Sequence, residues 1–253
     1  EIGSGLVGSE MCIRDRLTPW MSCSAKAPVY AAFAAAFFPG RSAVVFLALY
    51  ALGIGTAAGA APLLDRTVLR GEAASFVMEL PDYRWPDARS VLRRMWVRTR
   101  EFLTRAFTVI LAASVGVNVR STHTPTWRVA ANAGESLLAV AGQALAPVFA
   151  PLGFGDWRAA TALMTGLLAK ETVLSTLGVL LGGDLTAALP GVFSPAAAAS
   201  FLVFTALYAP CVAAQAAMRQ ELGSRLGTLA AAIGSCAAAW CAAAVVYHIA
   251  VLL

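Results

Sequence analysis

The chain of 253 residues is 59% hydrophobic and 13% charged, with a mean hydropathy of +0.71, whereas ordinary soluble domains are about 45–50% apolar and about 25% charged. A globule of this length cannot bury so much apolar surface, so the solvent for much of the chain is lipid, and the expected class is an all-α, polytopic transmembrane bundle. The formal charge of +5 does not point to nucleic acid, because the arginines cluster between apolar runs as anionic lipid and the positive-inside bias produce.

Residues 1–16, EIGSGLVGSEMCIRDR, lack the apolar core of a signal peptide and end in a charged cluster. They read as a tag, cloning scar or junction, and are set aside together with Cys12. Residues 17–64 form the next unit. Its apolar region from Ser24 to Phe38 is short for a crossing and is closed by Pro39-Gly40-Arg41-Ser42, which predicts a half-helix or re-entrant element. Ala43 to Leu64 is long enough to span, and Gly53, Gly55 and Gly59 permit close helix packing there.

Residues 65–101 are the one substantial polar loop, and their arginine excess assigns them to the cytoplasm. Within and beyond that loop, Ser90 to Arg105 spaces apolar residues helically between arginines. It reads as an amphipathic helix on the membrane surface or as a helix leading into the next span. Residues 102–253 form the main membrane unit, beginning with a span over Phe102 to Val119 and a polar stretch, Arg120 to Glu135, on the opposite side. The following apolar run is interrupted by Pro147 and Pro151, as an in-plane element or a kinked crossing. Next come Trp157 to Leu181, Ala196 to Met218 with Pro210 inside it, and Leu226 to Leu253. If the Pro147/Pro151 element crosses, Arg219 and Arg225 fall inside; if it is re-entrant, the assignment inverts.

Lys170 and Glu171 near the centre of Trp157 to Leu181 are the most informative charges. Each costs on the order of 2.5–3.5 kcal/mol at a helix centre, which makes an intramembrane pair a functional candidate. Neighbours on a helix point about 100° apart, so either the helix opens there or each charge has a partner elsewhere. Thr172, Ser175 and Thr176 continue the polar stripe, although hydroxyls in apolar helices often bond their own backbone.

Cys211 directly follows Pro210, whose missing N–H exposes a carbonyl in the preceding turn and makes a polar point in a dry helix. Cys23 stands in a similar setting after Pro19. Cys236 and Cys241 lie in an uninterrupted apolar run, where packing suffices as their explanation. None of the five cysteines forms a CxxC pair, which argues against a disulfide framework or structural zinc. A thiol with a carboxylate, Glu171, and backbone carbonyls suits a borderline-soft divalent ion.

At MSCSAKAPVY (21–30), SFVMELPDYRWP (75–86), LAPVFAPLGFGDWRAATALMTGLLAKETVLSTLGVL (145–180) and LYAPCVAAQAAMRQELGS (207–224), the chain resembles the ferrous iron transport protein B (FeoB) family. The resemblance implies a bacterial inner-membrane permease with two gate-type regions, Cys23 in the first and Cys211 in the second. It implies Fe²⁺ as cargo with no permanently bound cofactor, membrane lipid as surroundings, self-association, and a small cytoplasmic accessory protein. Cys23, Cys211 and Glu171 are then the expected metal-meeting residues, with Lys170, Lys26, Pro210, Ser24, Thr172 and Ser175 supporting the path or gate. The family's GTP-binding domain is expected to be missing: no G-x-x-x-x-G-K-[ST] occurs, so no nucleotide hydrolysis is expected of this chain. The family's GCxxP segment does not precede Cys23, and Lys26 stands where an arginine is common. Two other readings are a secondary transporter of an organic solute such as a nucleoside, which asks for midplane amides beyond Gln143 and Gln215, and a non-transporting membrane scaffold.

Overall fold

The computed structural model describes Leu17, residues 20–67, 87–97, 99, 100, 104, 136–182 and 184–252. The expected junction at 1–16, residues 68–86 of the 65–101 loop, nearly all of the span at Phe102 to Val119 and the polar stretch after it lie outside the described residues. Among the described residues all regular structure is helical.

A 3₁₀ turn, Ser24–Lys26, leads into α1, Ala27–Phe37, where Pro28 sits in the first turn and needs no helical N–H. α1 buries Val29, Tyr30, Phe33 and Ala34 and stops at the expected Pro39-Gly40, with Gly40 at φ 78°. α2, Ser42–Thr67, contains the expected span. A further helical stretch covers 88–97. Its first turn is tied by Asp87, whose carboxylate accepts from the Ser90 N–H at 3.1 Å and the Ser90 hydroxyl at 2.8 Å.

α3, Leu137–Phe149, is capped by the Ser136 hydroxyl, which accepts from the Ala139 N–H. Pro151 in the 3₁₀ turn Ala150–Leu152 ends its direction, and α4, Trp157–Gly166, leaves at 103° to it. The Pro147/Pro151 element is thus the first arm of a sharp corner rather than a straight crossing. Gly153 makes that corner possible at φ 82°, with the Tyr247 ring packed where a side chain would stand.

The stretch from Trp157 to Leu181 is not one helix. α4 ends at Gly166, and α5 runs from Thr172 to Leu181. After Gly182 come the short α6, Leu185–Ala188, and a 3₁₀ turn, Leu189–Gly191. α7, Pro195–Leu207, starts on a Ser194 cap; α8, Val212–Leu222, follows a break at Pro210; α9, Arg225–Leu252, closes the described chain.

α7 is the centre of the molecule. From Ser200 to Leu207 every residue is buried, the pattern of a helix apolar on all sides. Phe201 stacks on Phe33 at 4.9 Å and meets Phe154 and Phe193 edge-on, each near 5.3 Å. Phe204 meets Phe149 and stacks on Tyr208. α9 lies along α7 and buries a stripe of small residues, Thr228, Ala232, Ser235, Ala239 and Ala243, and the Ser200 hydroxyl donates to the Ala243 carbonyl at 3.0 Å. Such a stripe lets two backbones approach closely where lipid offers no hydrophobic drive. Among the described residues three helical segments are long and apolar enough to cross a membrane, α2, α7 with α8, and α9; the two bent pairs, each taken as one span, raise that number to five.

Candidate functional site

Three interruptions of apolar helices meet at the carboxy end of α7. The first precedes α1. Cys23 opens the 3₁₀ turn with an extended backbone and no cap bond from its thiol, and Cys23 and Ser24 are exposed. Lys26 turns inward instead. It is 2% exposed, and its Nζ donates to the Ala206 carbonyl at 2.6 Å and towards the Met21 carbonyl at 3.4 Å.

The second interruption lies between α4 and α5. Lys170 is buried while Glu171 is exposed, and both lie in the break between the two helices. Lys170 Nζ donates to the Ala209 carbonyl at 2.6 Å and stands 3.0 Å over the Tyr208 ring. Of the two alternatives open in the sequence, both occur: the helix opens, and the lysine has a remote partner. The hydroxyls beyond it bond locally, Thr172 to the Ala169 carbonyl and Ser175 to the Thr172 carbonyl. Thr165 and Thr176 pair with each other at 2.9 Å.

The third interruption follows α7. Pro210 has no N–H, and in a continuous helix that N–H would bond the Ala206 carbonyl four residues back. Lys26 takes this freed carbonyl, so the proline of one segment is answered by the lysine of another. The Pro210 carbonyl accepts from the Gln215 amide at 2.8 Å, and the Val212 N–H donates to the Leu167 carbonyl at 2.9 Å, which joins the second and third breaks directly. Cys211, half-buried, caps α8 with an extended backbone and a thiol that makes no cap bond, matching Cys23.

Both lysines lie within electrostatic reach of Cys23 and Cys211. The structure therefore brings Cys23, Lys26, Lys170, Pro210 and Cys211 to one locality and leaves Glu171 exposed beside it. Two participants escaped the sequence reading. Tyr208, 2% exposed, presents its ring to Lys170, and its hydroxyl has no hydrogen-bond partner among the described residues. Cys236 on α9, read from sequence as packing alone, lies within reach of Lys170 and Tyr208. Among the described residues no three His, Cys, Asp or Glu side chains are gathered to hold a metal ion. The arrangement is a junction of thiols, carbonyls and ammonium groups, not an assembled coordination shell.

Apolar spans around helices broken at polar, cation-bearing points define a multi-pass α-helical membrane protein of the broken-helix type that transporters use. Two family descriptions match it, "Ferrous iron transport protein B C terminus" over residues 46–98 and "Nucleoside recognition", the Gate family, over residues 103–225. The chain belongs to the FeoB family. It is 37% identical to the Fe(2+) transporter FeoB of Methanocaldococcus jannaschii over 217 residues, which is 82% of this chain and 32% of that protein. It is equally similar to the Fe(2+) transporter FeoB of Staphylococcus aureus strain COL, over 216 residues with the same coverage. To a Fe(2+) transport protein A/Fe(2+) transporter FeoB fusion protein of Porphyromonas gingivalis it is 33% identical, over 93% of this chain and 34% of the relative. The chain spans about a third of the length of these relatives. No solved structure matches it.

Proposed function

We propose that this chain is the membrane permease part of a ferrous iron uptake transporter in the inner membrane. The observation that carries the reading is the convergence of both gate-type segments, with Cys23 and Cys211, on the single broken end of α7. A free thiol on each side of one junction gives a borderline-soft ion two sulfur contacts, and the exposed Glu171 beside it supplies a hard oxygen on the approach. Lys26 and Lys170 hold the junction, Pro210 creates it, and Ser24, Thr172 and Ser175 border it.

In this reading Fe²⁺ is cargo and the chain is a conduit rather than an enzyme. GTP hydrolysis belongs to a G domain of the whole transporter, in keeping with the absence of a phosphate-binding G-x-x-x-x-G-K-[ST] in these 253 residues. The arginine-rich segment at 65–101 faces the cytoplasm, with the 88–97 helix against the bilayer surface. The name of the Porphyromonas gingivalis relative joins transport protein A to FeoB, which supports a small accessory partner. The outer faces of α2 and α9 meet lipid or a second copy. A nucleoside cargo fits less well, because Gln215 spends its amide on the Pro210 carbonyl of the break itself.

The test is uptake of radiolabelled Fe²⁺ by a full-length FeoB carrying this membrane part, with Cys23→Ala and Cys211→Ala. Loss of a ligand is expected to lower uptake by about tenfold or more while membrane insertion stays as in the parent. Unchanged uptake in both variants removes the thiols from the path.

A further inference from the structure

The Lys170 ammonium is 3% exposed as a residue and rests on the Ala209 carbonyl and the Tyr208 ring face. No carboxylate among the described residues pairs with it, and a second ammonium, that of Lys26, is within electrostatic reach. Taking an amino group out of water beside another is unfavourable unless polar groups at the position answer it. The end of α7 supplies them: the helix dipole leaves partial negative charge there, and the Ala206 and Ala209 carbonyls each accept from a lysine. A carbonyl oxygen and an aromatic face are also the ligands that a desolvated monovalent cation takes. Broken helices of ion-coupled transporters hold mobile cations on such unwound carbonyls.

The same construction occurs twice. Ala25-Lys26-Ala27-Pro28-Val29 and Ala169-Lys170-Glu171-Thr172-Val173 share Ala-Lys-x-x-Val. Each lysine stands just before a short helix, and each reaches a carbonyl at the end of α7 at 2.6 Å.

We propose that the break after α7 is a monovalent-cation site, formed by the Ala209 carbonyl and the Tyr208 ring, which the chain fills with its own Lys170 ammonium. A transporter built this way needs no ion from solution at that point, and a neutral residue at position 170 turns the pocket into a site for free K⁺ or a primary ammonium ion. An ordinary helix cap would give no such site. This inference is independent of the iron reading.

The experiment is thermal unfolding of the purified chain in detergent, native and Lys170→Ala, titrated with potassium, n-propylammonium and choline chlorides at constant ionic strength. The expected result is a lowered midpoint in K170A that rises saturably, by about 3 °C, with K⁺ or n-propylammonium, while choline has no effect and the native chain does not respond. A K170A midpoint indifferent to all three salts, or raised equally by choline, overturns the proposal. Where K170A is recovered only as aggregate, Lys170→Met keeps the apolar stem and removes only the charge. K170M is then expected to respond to K⁺ and not to choline, and its indifference to K⁺ overturns the proposal equally.

Discussion

α7 with α8 and α9 are both apolar enough to cross a bilayer, yet they occupy opposite environments. Of the most apolar stretch of α7–α8, 72% is buried inside the protein, against 17% for α9 and 11% for α2. The outer helices run unbroken over 28 and 26 residues, whereas the inner one stops at Leu207. In hydrocarbon an interrupted helix is tolerable only where protein groups answer the freed backbone. The break therefore sits where Lys26, Lys170 and Gln215 can reach it.

If that contrast is correct, truncation should cost far more on α7 than on α9. Phe201 is fully buried against Phe33, Phe154 and Phe193, and Phe201→Ala is expected to lose about 3–5 kcal/mol. Leu229 is 57% exposed, and Leu229→Ala should stay within about 0.5 kcal/mol. Reversible unfolding in mixed micelles measures both. Comparable losses at the two positions would mean that α9 is covered by protein, as in a tight oligomer.

The intact helices were legible from sequence because their signals are local. Pro39-Gly40 stopped α1, and apolar length alone marked α2 and α9. The break at Pro210 was legible for the same reason, since a missing N–H is a property of one residue. The gap between α4 and α5 was legible only as one of two alternatives at Lys170-Glu171. No proline lies between Trp157 and Leu181 to mark a stop, and the partner of Lys170, the Ala209 carbonyl, stands 39 residues away. At the site, Cys23 and Cys211 were found through their helix interruptions, Lys170 as a charge inside an apolar run, and Lys26 through the family resemblance. Cys236 has no interruption near it, and only the tertiary approach of α9 to α7 brings it into range. Of Lys170 and Glu171, the two most informative charges in the sequence, only Lys170 turns inward, and Glu171 stays exposed.

The junction itself can be probed by overfilling it. A side chain at Gly166, the last residue of α4, would meet the Tyr208 hydroxyl and Val173 Cγ2. Gly166→Ala should thus cost about 1–3 kcal/mol through overpacking, less than F201A. Tyr208→Phe removes an oxygen that has no partner among the described residues and should be close to neutral. The double variant should recover part of the G166A loss, since one of the two obstructing atoms is gone. Strictly additive losses would show that the α4 end and the Tyr208 ring do not share this space.

The smallest expected effect lies farthest from the junction, at the 88–97 helix. The Ser90 hydroxyl and then its N–H donate to the Asp87 carboxylate and hold its pKa below the usual carboxylate value. A depressed folded pKa means that the stabilisation is fully present above the unfolded value and disappears as pH falls through the folded one. Amide exchange of this segment, corrected for intrinsic rates, should be constant from about pH 7 to about pH 5 and faster, after correction, by about pH 3. Asp87→Ala should exchange fast throughout and lose that pH dependence, because the cap that responds to acid is gone. Identical corrected profiles for the two chains would show that the helix start is held by something other than this carboxylate. The junction at α7 contains no such exposed cap, so its protection should not change over the same range.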